Sequence, residues 1–411
     1  MGTQFRKGSR KIDNLSDSSI ENNSNNEANE IAKSLKFQNN KKQKYIENWN
    51  SRLFLHVNND ENPITLADAF IVPKFDCRIS IDNIKIFDKD LLTDSLEKFI
   101  DYDKTSNLLI TGSPGIGKTS IISWIANRYK YNDDIIVLRF RDWNNKDLQQ
   151  GLLNAIYHSL NCEKNGIENK ILVLDGFDEI KLVSKRKNLV REFLNDSLDF
   201  DNLKIIVTSR HNYLNTYDFQ IHFEILPFSI LQIQEFYQII KGVELDKNKI
   251  DCDNLDVLGI PVILYMAIMV NIDLTTKATR SELCSRIFAK KGGIFDRLNF
   301  KGSGYDNGFQ PLRDKENVNR YLGFLQRVAF LMFEKDNLVL TKNEYDIPEL
   351  EIQGEKVGVI EFPIKPLFEN SEYNIEFIHK SIYEYFVSEY IFTSIIKKIQ
   401  NMIWRKHLEK C

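Results

Sequence analysis

The fold is decided by one short stretch of the chain, Gly112-Ser113-Pro114-Gly115-Ile116-Gly117-Lys118-Thr119. It fits the phosphate-loop pattern G-x-x-x-x-G-K-[ST] in full. An apolar run at 108–110 precedes it and a second one at 121–125 follows it, which predicts a strand, a loop and a helix in that order. Backbone N–H groups of such a loop, together with the helix N-terminus, surround phosphate groups. The stretch therefore predicts a nucleoside triphosphate site.

Individual residues of this loop have distinct expected roles. We expect Lys118 to contact the β- and γ-phosphates of ATP, or the β-phosphate of ADP, and the Thr119 hydroxyl to bind Mg²⁺. The remaining cofactor-binding residues are expected to contribute mainly backbone N–H groups: Gly112, Ser113, Pro114, Gly115, Ile116, Gly117 and Ser120.

Around the loop, short apolar strands alternate with helical stretches from about 91 to 226. This pattern predicts an α/β fold, a P-loop NTPase domain with a mainly parallel sheet. The predicted strands are 108–111, 135–140, 171–174, 204–208 and 221–225. Upstream we expect a disordered segment at 1–44, rich in Asn, Ser, Glu and Lys, and then a packed lead-in at 45–90.

Beyond residue 226 the strand signal fades and a helical domain is predicted over 227–300. Ser229 followed by Gln232 forms a capping-box pattern, and Pro261 suits the first turn of a buried helix. A further domain at 301–397 mixes long helices, at 321–333 and 379–396, with short extended pieces near 338–341 and 374–377. A tail is expected at 398–411.

Composition narrows the class of protein. The chain has 411 residues, 55 basic against 58 acidic side chains and a formal net charge of −3, so neither nucleic acid nor an anionic membrane is indicated as a partner. Five scattered cysteines without a C-x-x-C pair favour a reducing, cytoplasmic location over a disulfide framework. The longest apolar run, 257–270, is shorter than the roughly 20 residues of a membrane span.

A second constellation consists of carboxylates that follow a buried strand. The run 171–174 leads into Asp175-Gly176-Phe177-Asp178-Glu179. The end of a parallel strand delivers Asp175 to the edge of the sheet at which the phosphate loop lies, where it can hold Mg²⁺. A carboxylate a few residues later can orient or deprotonate the attacking water. Asp178 and Glu179 both qualify, and the sequence does not choose between them.

A third motif, Thr208-Ser209-Arg210, ends another apolar strand. We expect these side chains at the same edge of the sheet. There Thr208 or Ser209 could contact the γ-phosphate, and Arg210 could neutralise charge that develops during hydrolysis.

Together these motifs resemble the NACHT branch of the signal-transduction ATPases called the STAND class. The resemblance rests on Asp-Gly-Phe-Asp-Glu at 175–179, Thr-Ser-Arg at 208–210, Gly259-Ile260-Pro261 and Phe-Ile-His-Lys-Ser-Ile-Tyr-Glu-Tyr-Phe at 377–386. It covers about 45–396 and implies that 301–397 is a winged-helix domain. It also implies that Pro261 packs near the adenine and that His379 contacts the β-phosphate of ADP in a closed state.

The resemblance implies an ATP/ADP-dependent switch that hydrolyses ATP slowly and forms a homo-oligomer when active. Many bacterial NACHT proteins act in antiphage defence signalling. One alternative stays open: an AAA+-like remodelling ATPase or nucleic-acid loader with continuous turnover. The intact carboxylates at 175–179 argue against a third possibility, a scaffold that binds nucleotide without hydrolysing it. Members usually carry effector and sensor domains. We therefore expect either a fragment or effector and sensor proteins that act in trans.

Overall fold

The computed structural model describes most of the chain beyond residue 40, in the ranges 41–51, 53, 64–79, 91–102, 104–143, 147–162, 166–180, 183–211, 213–246, 250, 255–274, 279–289, 293, 315–341, 350–352, 355–357, 364–369, 372–377 and 380–408. Of the segment predicted to be disordered, 1–44, residues 1–40 lie outside these ranges, as does His379 with its predicted role. The prediction is wrong for 41–44, which begin a helix that Lys42 anchors through the carbonyl oxygens of Tyr129 and Asn132. None of the helices in the described ranges is both long and apolar enough to cross a membrane.

A six-stranded, mainly parallel sheet forms the centre of the nucleotide-binding part. Its strands run in the order β1-β6-β2-β5-β4-β3. Their bounds are Phe75–Ile79 for β1, Ser106–Thr111 for β2, Ile135–Arg139 for β3, Ile171–Asp175 for β4, Lys204–Ser209 for β5 and Ile221–Ile225 for β6. Strands β2 to β6 are parallel to one another. These five confirm the predicted α/β class and the predicted strands.

The first strand, β1, was not predicted. It pairs antiparallel with β6, with Phe75 opposite Ile225 and Ile79 opposite Ile221. Two of its five residues are exposed, whereas β2, β4 and β5 are buried along their whole length. An edge strand needs apolar residues at fewer positions, which explains why its sequence gave no strong signal.

Strand order brings the motifs together. β5 lies between β2 and β4, and its last residue, Ser209, is paired with Thr111. On the other side of β4, Asp175 is paired with Arg139 of β3. Because β2, β5, β4 and β3 are parallel, their carboxyl ends lie at one edge of the sheet. Sheets of this kind bind ligands at that edge.

Helices cover both faces of the sheet. The first, α1, spans 41–50, and four others flank the strands: α3 (Leu92–Ile100), α4 (Lys118–Arg128), α5 (Leu152–Leu160) and α6 (Val183–Asp196). One core cluster joins α3 and α4 to Leu108 and Ile110, while a second joins α5 and α6 to Leu109. The alternation of faces along β2 is the period-two pattern of a strand that is buried on both sides.

A helical region follows the sheet and contains α7 (Ile230–Lys241), α8 (Leu255–Leu258), α9 (Pro261–Met269) and α10 (Arg280–Ile287); a short helix, α2 (Leu66–Ala69), precedes β1. Ser229 and Gln232 form the predicted capping box before α7. Pro261 occupies the first turn of α9, as predicted. Its missing N–H costs nothing there, because the first N–H groups of a helix have no intrahelical acceptor.

The C-terminal unit comprises the described residues from 315 to 408. It contains α11 (Lys315–Glu334), β7 (Val339–Thr341), β8 (Leu350–Ile352), β9 (Glu355–Val357), β10 (Ile364–Glu369), β11 (Glu372–Phe377) and α12 (Lys380–Leu408). Strands β10, β11 and β7 form an antiparallel sheet, and α12 continues past the predicted end of the helix at 396. Phe377 and Phe386 share one core cluster with Leu264 of α9, so the unit packs firmly on the helical region.

Candidate nucleotide site

The phosphate loop connects β2 to α4 with the backbone geometry that a phosphate cradle needs. Gly115 and Gly117 have φ angles of 84° and 106°, in the left-handed region that glycine adopts without strain. A Cβ on Gly112 would lie 2.7 Å from Cγ2 of Ile116, whose side chain is buried under the loop. Two other predicted residues, Ser113 and Pro114, belong to the same loop.

Lys118 begins α4 and folds back over the loop. Its Nζ donates to the carbonyl oxygens of Gly112, at 2.7 Å, and of Ser113, at 3.2 Å. Burial lowers the pKa of Lys118 to about 8, although the Asp178 carboxylate opposes this shift. The ammonium group therefore lies where phosphate oxygens could replace carbonyl oxygens as its acceptors.

Asp175, at the end of β4, is held by three hydroxyl groups. Its Oδ1 accepts from Thr208 at 2.6 Å, and its Oδ2 accepts from Tyr45 at 2.9 Å and from Thr119 at 3.2 Å. Burial raises the pKa of Asp175 above its usual range, whereas the hydrogen bond from Thr208 opposes this. The carboxylate is thus fixed beside the first turn of α4, which also contains Ser120.

The donor set at this position fits Mg²⁺. A carboxylate and a hydroxyl, from Asp175 and Thr119, are hard oxygen ligands. No group of three or more His, Cys, Asp or Glu side chains suited to a metal occurs among the described residues. A nucleotide-bound Mg²⁺ does not require one, because phosphate oxygens and water supply most of its ligands.

Asp178 and Glu179 lie in the one-turn 3₁₀ helix that follows β4, Phe177–Glu179, and each is engaged by an arginine. Asp178 Oδ2 is 2.8 Å from Arg210 Nε, and Glu179 Oε2 is 2.5 Å from Arg141 Nε. Burial alone would raise the pKa of Glu179, but the Arg141 guanidinium lowers it below its usual range. Both candidate bases therefore lie at the predicted edge of the sheet, and both are paired.

The Thr-Ser-Arg motif lies at the carboxyl end of β5, the strand between β4 and β2. Thr208 and Ser209 are the last residues of the strand, and Arg210 follows it. Besides donating to Asp175, Thr208 Oγ1 accepts the backbone N–H of Gly176 at 2.7 Å. Ser209 Oγ is buried and has no hydrogen-bond partner among the described residues. A buried hydroxyl without a partner is costly, so the predicted contact of Ser209 with a γ-phosphate would satisfy it.

The region that contains these motifs matches a known family. Residues 108–222 fit the model of the ATPase family associated with various cellular activities (AAA). This part of the chain is an AAA-type ATPase domain. It is a P-loop NTPase, a class that binds nucleotide and usually Mg²⁺. No curated protein matches the sequence.

Solved structures resemble the chain only distantly. A STAND protein with a tetratricopeptide repeat sensor from Pyrococcus horikoshii is 14% identical at a TM-score of 0.36, over 72% of this chain and 42% of that protein. Orc1 from Aeropyrum pernix, in complex with DNA, is 14% identical at a TM-score of 0.31 over 74% and 92%. A single-site variant of RuvB from Thermotoga maritima is 15% identical at 0.28 over 58% and 72%. This chain spans about two fifths of the STAND protein.

The C-terminal unit lies against the site of the AAA-type domain. Lys380 Nζ donates to the backbone oxygen of Asp178 at 2.8 Å and lies 3.4 Å from its Oδ2. Glu384 Oε1 accepts from Arg210 Nη1 at 2.8 Å. On β11, Glu376 forms an ion pair with Arg141, the residue that also holds Glu179. We name these three contacts the rim ion pairs.

Two predicted site residues lie beyond the matched domain. Pro261 starts α9, and the preceding turn is tightly packed: the Phe228 N–H donates to the Gly259 carbonyl at 2.8 Å. A Cβ on Gly259 would lie 2.5 Å from the carbonyl oxygen of Leu255. His379 lies outside the described residues, so its predicted contact with ADP stays a prediction.

Sequence reasoning missed several side chains that the structure brings to the site. Tyr45, Arg141 and Glu376 belong to none of the quoted motifs, and Lys380 lies within the motif at 377–386 without having been given a role. Arg141 comes directly after the strand predicted at 135–140, and that position is a signal that could have indicated it. The others contact residues more than 100 positions away in sequence, which no local pattern reveals.

Proposed function

We propose that this protein is an ATP/ADP-dependent molecular switch of the NACHT type within the STAND class. One observation carries the proposal: residues of the C-terminal unit, Lys380 and Glu384, hold Asp178 and Arg210, two of the three candidate catalytic residues. A domain built only for rapid turnover gains nothing from such contacts. A domain whose chemistry is controlled by a neighbouring unit requires them.

Nucleotide binding in this proposal is the task of the phosphate loop and α4. Backbone N–H groups of the loop surround the phosphates, and Lys118 donates to the β- and γ-phosphate oxygens. Thr119 and Asp175 would hold Mg²⁺, which supplies positive charge against that of the phosphates. Ser209 offers a donor at the same edge of the sheet.

In the closed arrangement, in which the rim ion pairs are formed, both candidate bases are paired, and this suppresses hydrolysis. Lys380 contacts Asp178 directly, whereas Glu376 acts on Glu179 through Arg141. A carboxylate acts as a general base only when it is free to accept a proton from water. Asp178 is instead bound by Arg210 and Lys380. Glu179 is bound by Arg141 and has a lowered pKa, which makes it a weaker base. Slow hydrolysis would begin when either carboxylate is released; comparing turnover of Asp178→Asn and Glu179→Gln identifies which one acts.

Switching requires that ATP and ADP stabilise the two arrangements differently. The γ-phosphate of ATP adds negative charge at the edge of the sheet where Arg210 lies, so it competes with Glu384 for that guanidinium. ADP lacks this group and leaves the rim ion pairs intact. In our proposal Pro261 and His379 additionally contact bound ADP, and 301–397 is a winged-helix domain that moves away when ATP binds.

The open form would associate with further copies of the chain through the AAA-type domain. Effector and sensor proteins would act in trans, or as parts of a longer chain, in a cytoplasmic signalling pathway such as antiphage defence. Size measurement of the purified protein with ADP and with an ATP analogue tests the first step. The expected result is a larger species with the ATP analogue alone.

A second candidate function is a remodelling ATPase or nucleic-acid loader with continuous turnover, which the match of 108–222 to the AAA family favours. Steady-state hydrolysis separates the two. A turnover number below about 0.01 per second, with nucleotide copurifying, supports the switch. A value above about 1 per second that rises with a protein or DNA substrate supports the remodelling enzyme.

ATP affinity is expected to fall as the pH rises through about 8. Lys118 binds phosphate as an ammonium group, and with its pKa near 8 it is mostly protonated at pH 7 and mostly neutral at pH 9. Binding at pH 9 must therefore take up a proton, which weakens it about tenfold relative to pH 7. Titrations of labelled ATP at the two pH values measure this. The weak binding that remains in Lys118→Ala should not change with pH, and equal wild-type affinities at both would contradict the expectation.

A further inference from the structure

Helix α1 lies outside the region that matches the AAA family and yet contacts the centre of the site. Tyr45, on this helix, is only 4% exposed. Its hydroxyl donates to Asp175 Oδ2 at 2.9 Å, across 130 positions of sequence. Thr119 donates to the same oxygen at 3.2 Å. One carboxylate oxygen thus receives a hydrogen bond from the phosphate-binding helix and another from α1.

Contacts that do not involve Asp175 anchor α1 along α4. Lys42 Nζ donates to the carbonyl oxygens of Tyr129 at 2.7 Å and Asn132 at 2.6 Å, just beyond the C-terminal end of α4. Asn48 Nδ2 donates to Ser123 Oγ at 2.9 Å, in the middle of α4. The position of Tyr45 is therefore fixed by its helix, and its hydroxyl is held ready for the carboxylate.

Three hydroxyl groups determine how the Asp175 carboxylate is oriented. Thr208 holds Oδ1, and Tyr45 and Thr119 share Oδ2. Thr119 is also the residue expected to bind Mg²⁺, so its hydroxyl must adjust when the metal binds. Thr208 and Tyr45 are not expected to bind the metal. They can therefore hold the carboxylate in one orientation both before and after Mg²⁺ binds, as residues that support metal ligands generally do.

We infer that Tyr45 is a positioning residue for Mg²⁺-dependent nucleotide binding, acting through Asp175. The inference rests on the proposed function, because it takes Asp175 as the carboxylate that holds the metal. It extends the nucleotide site to a helix that begins more than 60 positions before the matched domain.

The test compares labelled ATP binding with Mg²⁺ and with EDTA in wild type, Tyr45→Phe and Asn48→Ala. Phenylalanine retains the ring and removes only the hydroxyl. We expect Tyr45→Phe to raise the Mg²⁺ concentration at half-saturation about tenfold and to leave the affinity in EDTA unchanged. Asn48→Ala removes one anchor of α1 without touching the carboxylate, and the two hydrogen bonds of Lys42 still hold the helix, so it should leave the Mg²⁺ dependence as in wild type. Thermal melts establish that each variant is folded.

Each remaining outcome has a defined meaning. Unchanged or tighter Mg²⁺ binding in Tyr45→Phe overturns the inference and leaves the proposed function standing. Equal weakening in Mg²⁺ and in EDTA, matched by Asn48→Ala, assigns α1 a purely structural role and also overturns it. A wild-type protein that binds no ATP under either condition removes the proposed function, and the inference falls with it.

Discussion

Replacement of Lys118 by alanine is expected to weaken ATP binding about a hundredfold. The Lys118 ammonium is positioned over the loop by two carbonyl acceptors, those of Gly112 and Ser113. Bound phosphates would replace these acceptors with charged ones. Two charge-assisted hydrogen bonds of about 1.5 kcal/mol each correspond to roughly two orders of magnitude in the dissociation constant. Titration with labelled ATP and ADP measures both affinities.

Two further variants make this result specific. Lys130 is an exposed lysine just beyond the end of α4, next to Tyr131, and Lys130→Ala makes the same change in net charge. It should leave binding within a factor of about two, because an isolated surface charge is screened by salt. Asp175→Ala should weaken binding only when Mg²⁺ is present. Undiminished ATP binding in both Lys118→Ala and Asp175→Ala would refute the assignment of the site.

The nucleotide-binding half of the fold could be predicted because its signals are local. β2, β4 and β5 are short apolar runs that are buried along their whole length, and each ends in a motif: the phosphate loop, Asp175 and Thr208-Ser209-Arg210. Parallel strands place such motifs at one edge of the sheet whatever the strand order. The nucleotide site could therefore be assigned to this edge of the sheet without knowledge of the strand order.

The strand order and the contacts of the C-terminal unit had no comparable signal. That β5 separates β2 from β4 depends on how the helices pack, which no single stretch encodes. Arg141 and Glu376 are 235 positions apart in sequence. Each one alone is typical of a solvated surface residue, and only the tertiary structure shows that Glu376 is buried. A family resemblance indicated this unit, but it did not indicate which side chains link it to the site.

The rim ion pairs explain how the presence or absence of a γ-phosphate could control the position of the whole C-terminal unit. Each rim ion pair joins a residue at the carboxyl edge of the sheet to β11 or to the first turns of α12. The hydrophobic core that the C-terminal unit shares with the helical region includes Leu264, Phe386 and Phe377, the residue that follows Glu376 on β11. Charge at the nucleotide site therefore acts on polar residues that are direct neighbours of this apolar packing.

Glu376→Gln is expected to release bound ADP about a hundredfold faster than wild type. Glu376 is 1% exposed and faces two arginines, forming an ion pair with Arg141 and lying 3.8 Å from Arg139 Nη2. The substitution removes the carboxylate that both guanidinium groups face. We expect this to destabilise the closed arrangement, relative to the open one, by about 3 kcal/mol. This corresponds to roughly a hundredfold shift toward the open form, from which ADP can dissociate. Stopped-flow release of labelled ADP measures the rate.

Two carboxylates provide graded controls for this variant. Glu384→Gln breaks the pair with Arg210, but the Glu384 side chain is 40% exposed, so water replaces much of what is lost and release should accelerate only a few-fold. Glu97→Gln breaks a surface pair with Arg128 on the far side of the domain and should have no effect. A release rate in folded Glu376→Gln no faster than in Glu97→Gln would show that β11 does not hold the closed form. The buried carboxylate would then serve only the stability of the C-terminal unit, and its loss would lower the melting temperature without changing nucleotide exchange.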